Sequence, residues 1–131
     1  MVGLDTGFFF HLRKGTPGAL EVWERVVRGK GACISAVTVY ELLKAGYRMG
    51  SPKMSSFVED LAGVLEVVPV DFQVAHRAAG LAHGLGIPGL DALILASLLQ
   101  AGSREIYTSD SHLEAFKGEG VEVVNLGPVE L

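Results

Sequence analysis

Short β-branched runs alternate with longer helical patterns along the whole chain, and this alternation constrains the fold more than any other feature. Residues 1–5 (MVGLD), 31–36 (GACISA), 64–70 (VLEVVPV), 105–109 (EIYTS) and 121–126 (VEVVNL) read as five strands. Helical patterns occupy 6–14, 17–29, 37–49, 51–63, 71–86 and 91–102, with a short helix at 111–118. Pro17 suits a first helical turn, Ser51 followed by Pro52 reads as a cap and first position, and Asp71 reads as a cap. Strands that alternate with helices imply a central parallel sheet of about five strands, an α/β fold with helices on both faces. In such sheets the ligand site lies outside the carboxyl ends of the strands, so the residues just after each strand matter most.

A chain of 131 residues suits one domain with one core, residues 1–131. Net charge is −4, whereas a surface that holds nucleic acid by charge alone is usually positive. Any contact with nucleic acid therefore needs another source of attraction. Cys33 is the single cysteine and lies in a strand-like run, which fits a buried inert thiol. The N-terminus has an acid at position 5 and no leading basic residues, unlike a signal peptide. No run of 18 apolar residues occurs, so no spanning helix and no membrane role are expected, and the expected compartment is the cytoplasm.

Four acids stand where the sheet rule points. Asp5 ends the first strand, Glu41 sits in the helix after the second, and Asp110 ends the fourth. Asp91 is the lone charge in GIPGLDALILASLLQ, residues 86–100, a helix apolar nearly all round. Each acid has a structural reading. Asp5 could cap the helix that begins at Thr6, and Asp91 could cap its own helix. Glu41 could complete a capping box with Thr38 or pair with Lys44. Ser111 and Glu114 form a capping box of their own, which leaves Asp110 partly free of that duty. Capping does not explain why all four should gather at one end of a sheet. Clustered carboxylates raise one another's pKa, and a hard divalent cation such as Mg²⁺ or Mn²⁺ removes that penalty. Such an ion suits phosphodiester hydrolysis and supplies the positive charge the chain lacks.

Four segments resemble the PIN-domain family, and most of all its VapC-type toxin ribonucleases: LDTGFF at 4–9, SAVTVYELLKAG at 35–46, GLDALILASL at 89–98 and YTSDSHLEAF at 107–116. They stand in the family's order and spacing across nearly the whole chain. The resemblance implies a three-layer α/β/α PIN-like fold and an endoribonuclease dependent on Mg²⁺ or Mn²⁺. It maps the catalytic acids onto Asp5, Glu41, Asp91 and Asp110, and a hydroxyl position near them onto Thr108. The four-acid constellation suggests in addition that Asp5 and Asp91 hold the metal directly or through water, that Asp110 adds an inner or outer ligand, and that Glu41 orients or deprotonates the attacking water. In-line attack would leave a 5′-phosphate and a 3′-hydroxyl. Partners implied are RNA, a cognate antitoxin protein and a second copy in a homodimer or higher homo-oligomer. Two positions depart from the family. Gly7 stands where Asn or Ser is common, and His112 where a further acid is common, which weakens a second full metal site.

Thr6, Thr108, His112 and Arg48 are candidate substrate contacts or supports of the acids. Arg13, Lys14, Arg25, Arg28 and Lys30 make the first two helices basic, which would steer RNA or simply solvate a helix face. Tyr40, Leu43, Tyr47, Met54 and Phe57 are many large apolar groups for one side of a small core, so an interface is weighed against core packing. GLGIPG at 84–89 matches G-x-G-x-x-G but follows a helix rather than a strand, and reads as a helix stop. His11, His76, His83 and His112 lack metal-binding spacing, and for His76 and His83 a satisfied surface or core role is the better reading. Two other classes compete with the nuclease. A catalytically weak binding or assembly module would not need all four acids. A phosphoacceptor domain would need an acid pair after the first strand and a lysine after a late one, which DTG and YTSD do not offer.

Overall fold

The computed structural model describes residues 1–118 and 120–129. Five strands form one sheet: β1 (Val2–Leu4), β2 (Ala32–Ser35), β3 (Glu66–Val68), β4 (Glu105–Thr108) and β5 (Glu122–Asn125). Their order is β3-β2-β1-β4-β5 and every pairing is parallel. Six α-helices connect them: α1 (Thr6–Lys14), α2 (Pro17–Val27), α3 (Ala36–Arg48), α4 (Lys53–Val64), α5 (Phe72–Leu85) and α6 (Gly89–Gln100). The three-layer α/β/α arrangement expected from the sequence is present.

Strand periodicity divides the core into two halves, because successive side chains point to opposite faces. Val2, Leu4, Ile34 and Tyr107 enter the cluster with Phe8, Phe9 and Leu61 from α1 and α4. Cys33, Val68 and Ile106 enter the other, against Val74 of α5 and Leu95 and Leu98 of α6. Helix α6 is therefore apolar nearly all round for a simple reason: Ile94 to Leu99 are all buried between the sheet and α5. Gly46 allows α3 to cross α4 closely, since a Cβ there would lie 2.5 Å from that of Met54. Cys33 is buried, its Sγ 3.1 Å from the Ser103 hydroxyl, and burial pushes its pKa up, which suits an inert thiol.

Several local expectations are corrected. Ser35, not Thr38, caps α3, accepting from the Val37 amide at 3.1 Å. Thr38 lies inside the first turn and is buried, so no capping box with Glu41 forms. Helix α4 starts one residue late, with Pro52 in the cap position and no side-chain cap from Ser51. The expected helix at 111–118 is a 3₁₀ turn, Ser111–Ala115, and Asp110 caps it instead of a Ser111–Glu114 box. Glu114 accepts instead from the Asn125 side chain at 3.2 Å. GLGIPG does stop a helix: Gly86, at φ 69°, ends α5 in the left-handed conformation. Among the described residues no helix is long and apolar enough to cross a membrane.

Candidate active site

The chain runs from β1 outward to β2 and β3, then crosses to β4 and β5 on the other side. The direction of winding reverses between β1 and β4, and this switch point opens a crevice at the carboxyl ends of the strands. Asp5 follows β1 and Asp110 follows β4, so the two acids flank it. Glu41, on the second turn of α3, and Asp91, in the first turn of α6, reach it from adjacent elements. All four line one open cavity of about 250 Å³, together with Thr6, Gly7, Phe10, Ile94, Ser109 and Val129.

Each acid is held in a defined way. Asp5 is buried and caps α1, accepting from the Phe8 amide at 3.0 Å. Its other oxygen accepts a short hydrogen bond from the Thr108 hydroxyl. Thr108 in turn accepts from the Asp110 amide at 2.9 Å, so this one hydroxyl ties two acids together. Glu41 accepts from the Thr6 hydroxyl at 2.6 Å. Asp91 is not a cap: α6 begins at Gly89, with Pro88 in the cap position, and Asp91 lies in its first turn. A carboxylate there is favoured by the partial positive charge of the helix N-terminus, while the buried turns behind hold it in place. Asp110 accepts from the His112 amide at 2.9 Å and contacts His112 Nδ1 at 2.8 Å.

Crowding shows in the proton affinities. Burial pushes Asp5 up to about 6, against the opposing hydrogen bonds from Thr108 and Phe8, with Asp110 and Glu41 adding repulsion. Burial also pushes Asp91 up, to about 7, helped by its contact with Asp110 and by the charges of Asp110, Glu41 and Asp5. Partial burial pulls Asp110 the same way, but hydrogen bonds from Asp91 and from the His112 amide and ring outweigh it and hold the group below its ordinary value. Two carboxylates sharing one proton is the arrangement expected when negative groups converge without a counter-charge. The converging donors are carboxylate oxygens, with one imidazole at the rim. Oxygen atoms of Asp91 and Asp110 and a ring nitrogen of His112 all lie within 4.8 Å of one another. This set fits a hard divalent cation, which prefers carboxylate oxygen and replaces the shared proton.

Other candidates fall differently. Arg48 is exposed in the last turn of α3 and does not line the acid cavity. Lys44 lies over the Tyr40 ring, 5.0 Å from its centre. Arg25 donates to Tyr107 at 2.7 Å and contacts Glu105, and Arg28 pairs with Glu24, so part of the basic surface is engaged within the fold. Met54 is core and Leu43 and Phe57 are half-buried, but Tyr40 and Tyr47 are exposed, Tyr47 by 84%. Sequence reasoning missed Ser109 and Val129. Gly7 carried a signal for the first: a Cβ at position 7 would sit 1.7 Å from the Ser109 hydroxyl, so Ser109 fills that space. Val129 reaches the rim because the buried His11 contacts the Gly127 carbonyl at 2.8 Å through Nε2 and Thr16 through Nδ1, anchoring the segment after β5.

A three-layer α/β domain with four acids at its topological switch point defines a class of acid-pocket proteins suited to binding a divalent cation. Within that class, the PIN domain model matches residues 2–119, and the chain belongs to the PIN domain family. Its fold is similar to a toxin–antitoxin complex from Klebsiella pneumoniae, with TM-score 0.74, 19% identity, and 98% of this chain and 100% of that one covered. It is similar to DNA-bound VapBC from Salmonella typhimurium, with TM-score 0.74, 20% identity, and coverage of 95% and 97%. It is also similar to the Mycobacterium tuberculosis toxin VapC20, which cleaves the sarcin–ricin loop, with TM-score 0.61, 16% identity, and coverage of 92% of each chain. No curated protein matches the chain in sequence.

Proposed function

We propose that residues 1–131 form one nuclease domain, a cytoplasmic endoribonuclease that cuts single-stranded RNA with the help of Mg²⁺ or Mn²⁺ and serves as the toxin of a toxin–antitoxin pair. The observation that carries this reading is the convergence of Asp5, Glu41, Asp91 and Asp110, from four separate segments, on one open cavity. Asp5, Asp91 and Asp110 would hold the cation. When bound, the ion supplies the positive charge that draws in a phosphodiester and stabilises charge developing on it.

The chain's own residues do the rest. Glu41 takes the proton from the attacking water, and its carboxylate is oriented for this by the Thr6 hydroxyl. Thr108 fixes Asp5 relative to Asp110. Phe10 and Val129, half-buried at the rim, give a base an apolar surface beside the acids. The water attacks phosphorus in line with the 3′-oxygen, so the products carry a 5′-phosphate and a 3′-hydroxyl. A pocket of net negative charge also selects a basic protein partner. Together with the likeness to toxin–antitoxin complexes, this supports a cognate antitoxin, and the exposed Tyr47 and Phe72 support a homodimer or higher homo-oligomer.

A Mn²⁺ titration against a fluorescent single-stranded RNA tests the reading. The expected result is cleavage that rises with Mn²⁺ and stops with chelator. RNA binding with no cleavage at any Mn²⁺ concentration would favour a PIN-fold binding or assembly module instead.

A further inference from the structure

We propose that His112 is a metal ligand, and that its imidazole makes the acid site prefer Mn²⁺ to Mg²⁺. This rests on the metal-dependent nuclease reading and narrows its cofactor. His112 lies in the 3₁₀ turn after Asp110, and its side chain is more than half exposed, so no packing demand explains its position. Its ring nitrogen nevertheless sits with oxygens of Asp91 and Asp110 inside a 4.8 Å span, among the described residues.

Two distances support the assignment. Ligands about 2.1 Å from one ion and at right angles are about 3.0 Å apart, by the octahedral geometry of small divalent ions. Nδ1 of His112 lies 2.8 Å from Oδ1 of Asp110, close to that separation. Two lone-pair atoms this near need a positive charge between them. Either the imidazole N–H proton supplies it, or a cation that displaces that proton does. The turn fixes the pair in advance, because the same Oδ1 accepts from the His112 backbone amide at 2.9 Å. Imidazole is a good ligand for first-row transition ions, whereas Mg²⁺ prefers carboxylate and water oxygen. A histidine in place of an oxygen donor at this position therefore shifts the preference toward Mn²⁺.

The direct test is pulsed EPR on the full chain loaded with Mn²⁺, with competitive Mn²⁺ and Mg²⁺ titrations beside it. The expected spectrum shows nitrogen coupling from a directly bound imidazole, which disappears in His112→Ala. That variant should still bind Mn²⁺, with the ratio of Mn²⁺ to Mg²⁺ affinity reduced about tenfold or more, the scale on which loss of a supporting group lowers metal affinity. His112→Asp should raise Mg²⁺ affinity instead. Bound Mn²⁺ with no nitrogen coupling, coupling that persists in His112→Ala, or an unchanged affinity ratio would each show that His112 only pairs with Asp110, and would overturn the proposal while leaving the nuclease reading intact. Absence of Mn²⁺ binding by the unaltered chain would overturn both.

Discussion

Asp5 and Asp91 hold protons more tightly in the folded chain than carboxylates do in water, and this sets how stability varies with pH. Their ordinary value is 3.8, and in the fold they stand at about 6 and about 7. Between those limits the folded state binds more protons than the unfolded state, so stability falls as pH rises through the window and the cost is complete above about pH 7. For the buried Asp5 this amounts to about 3 kcal/mol at 1.36 kcal/mol per pKa unit. Asp110 shifts the opposite way and offsets part of the total. Asp91→Asn should accordingly raise the melting temperature of the metal-free protein by a few degrees at pH 8 and change it little at pH 4. It should also abolish the extra stability that Mn²⁺ gives at pH 8. Thermal melts at the two pH values, with and without Mn²⁺, check this. Loss of stability at pH 8 would mean that Asp91 is structural. The acids themselves were legible in the sequence because Asp5 and Asp110 follow strands, Asp91 lies in the first turn of a helix and Glu41 in the second turn of the helix after β2. Their partners were not. Local spacing offers Glu41 a capping box with Thr38 or a pair with Lys44, but its hydroxyl partner is Thr6, on another element. Tertiary contacts of this kind leave no local spacing to read.

At the scale of elements, the approach of α1 to the turn after β4 decides the width of the crevice. Gly7 and Ser109 share one small space there: a Cβ at position 7 would lie 2.6 Å from the Ser109 Cβ as well as against its hydroxyl. Gly7→Ala gains about 1 kcal/mol in helix propensity but meets a clash whose cost is typically about 1–3 kcal/mol. We expect a net loss of stability in Gly7→Ala and its recovery in Gly7→Ala with Ser109→Gly. Chemical denaturation of the two single variants and the double variant would show this as a coupling between sites 7 and 109. Strictly additive effects would mean the two do not compete for space. Gly7 stood out in the sequence as a departure at a position where larger polar residues are common, but its reason lay in Ser109, about a hundred residues away. Element ends were the least legible feature. The fourth helix, the turn after Asp110 and the start of α6 each differ from expectation because Pro52 and Pro88 set the boundary through backbone geometry, and Asp110 through its side-chain cap, rather than through apolar periodicity.

For the whole molecule, the parallel sheet and its layers followed from the alternation of strand and helix, and the winding reversal between β1 and β4 explains why distant acids meet. What alternation does not encode is the strand order, which arises from packing α1 and α4 on one face and α5 and α6 on the other. The chain carries a net charge of −4, so the proposed binding of an anionic polymer at the acid pocket needs a cation there. The account therefore turns on whether these four carboxylates convert metal binding into RNA cleavage. The most direct measurement compares Mn²⁺-dependent cleavage of single-stranded RNA by the unaltered chain and by Asp91→Asn, with the ends of the products identified and folding checked by circular dichroism. The account predicts fragments bearing 5′-phosphate and 3′-hydroxyl from the unaltered chain and none from a folded Asp91→Asn. Equal cleavage by both, with contaminating nucleases excluded, would contradict it.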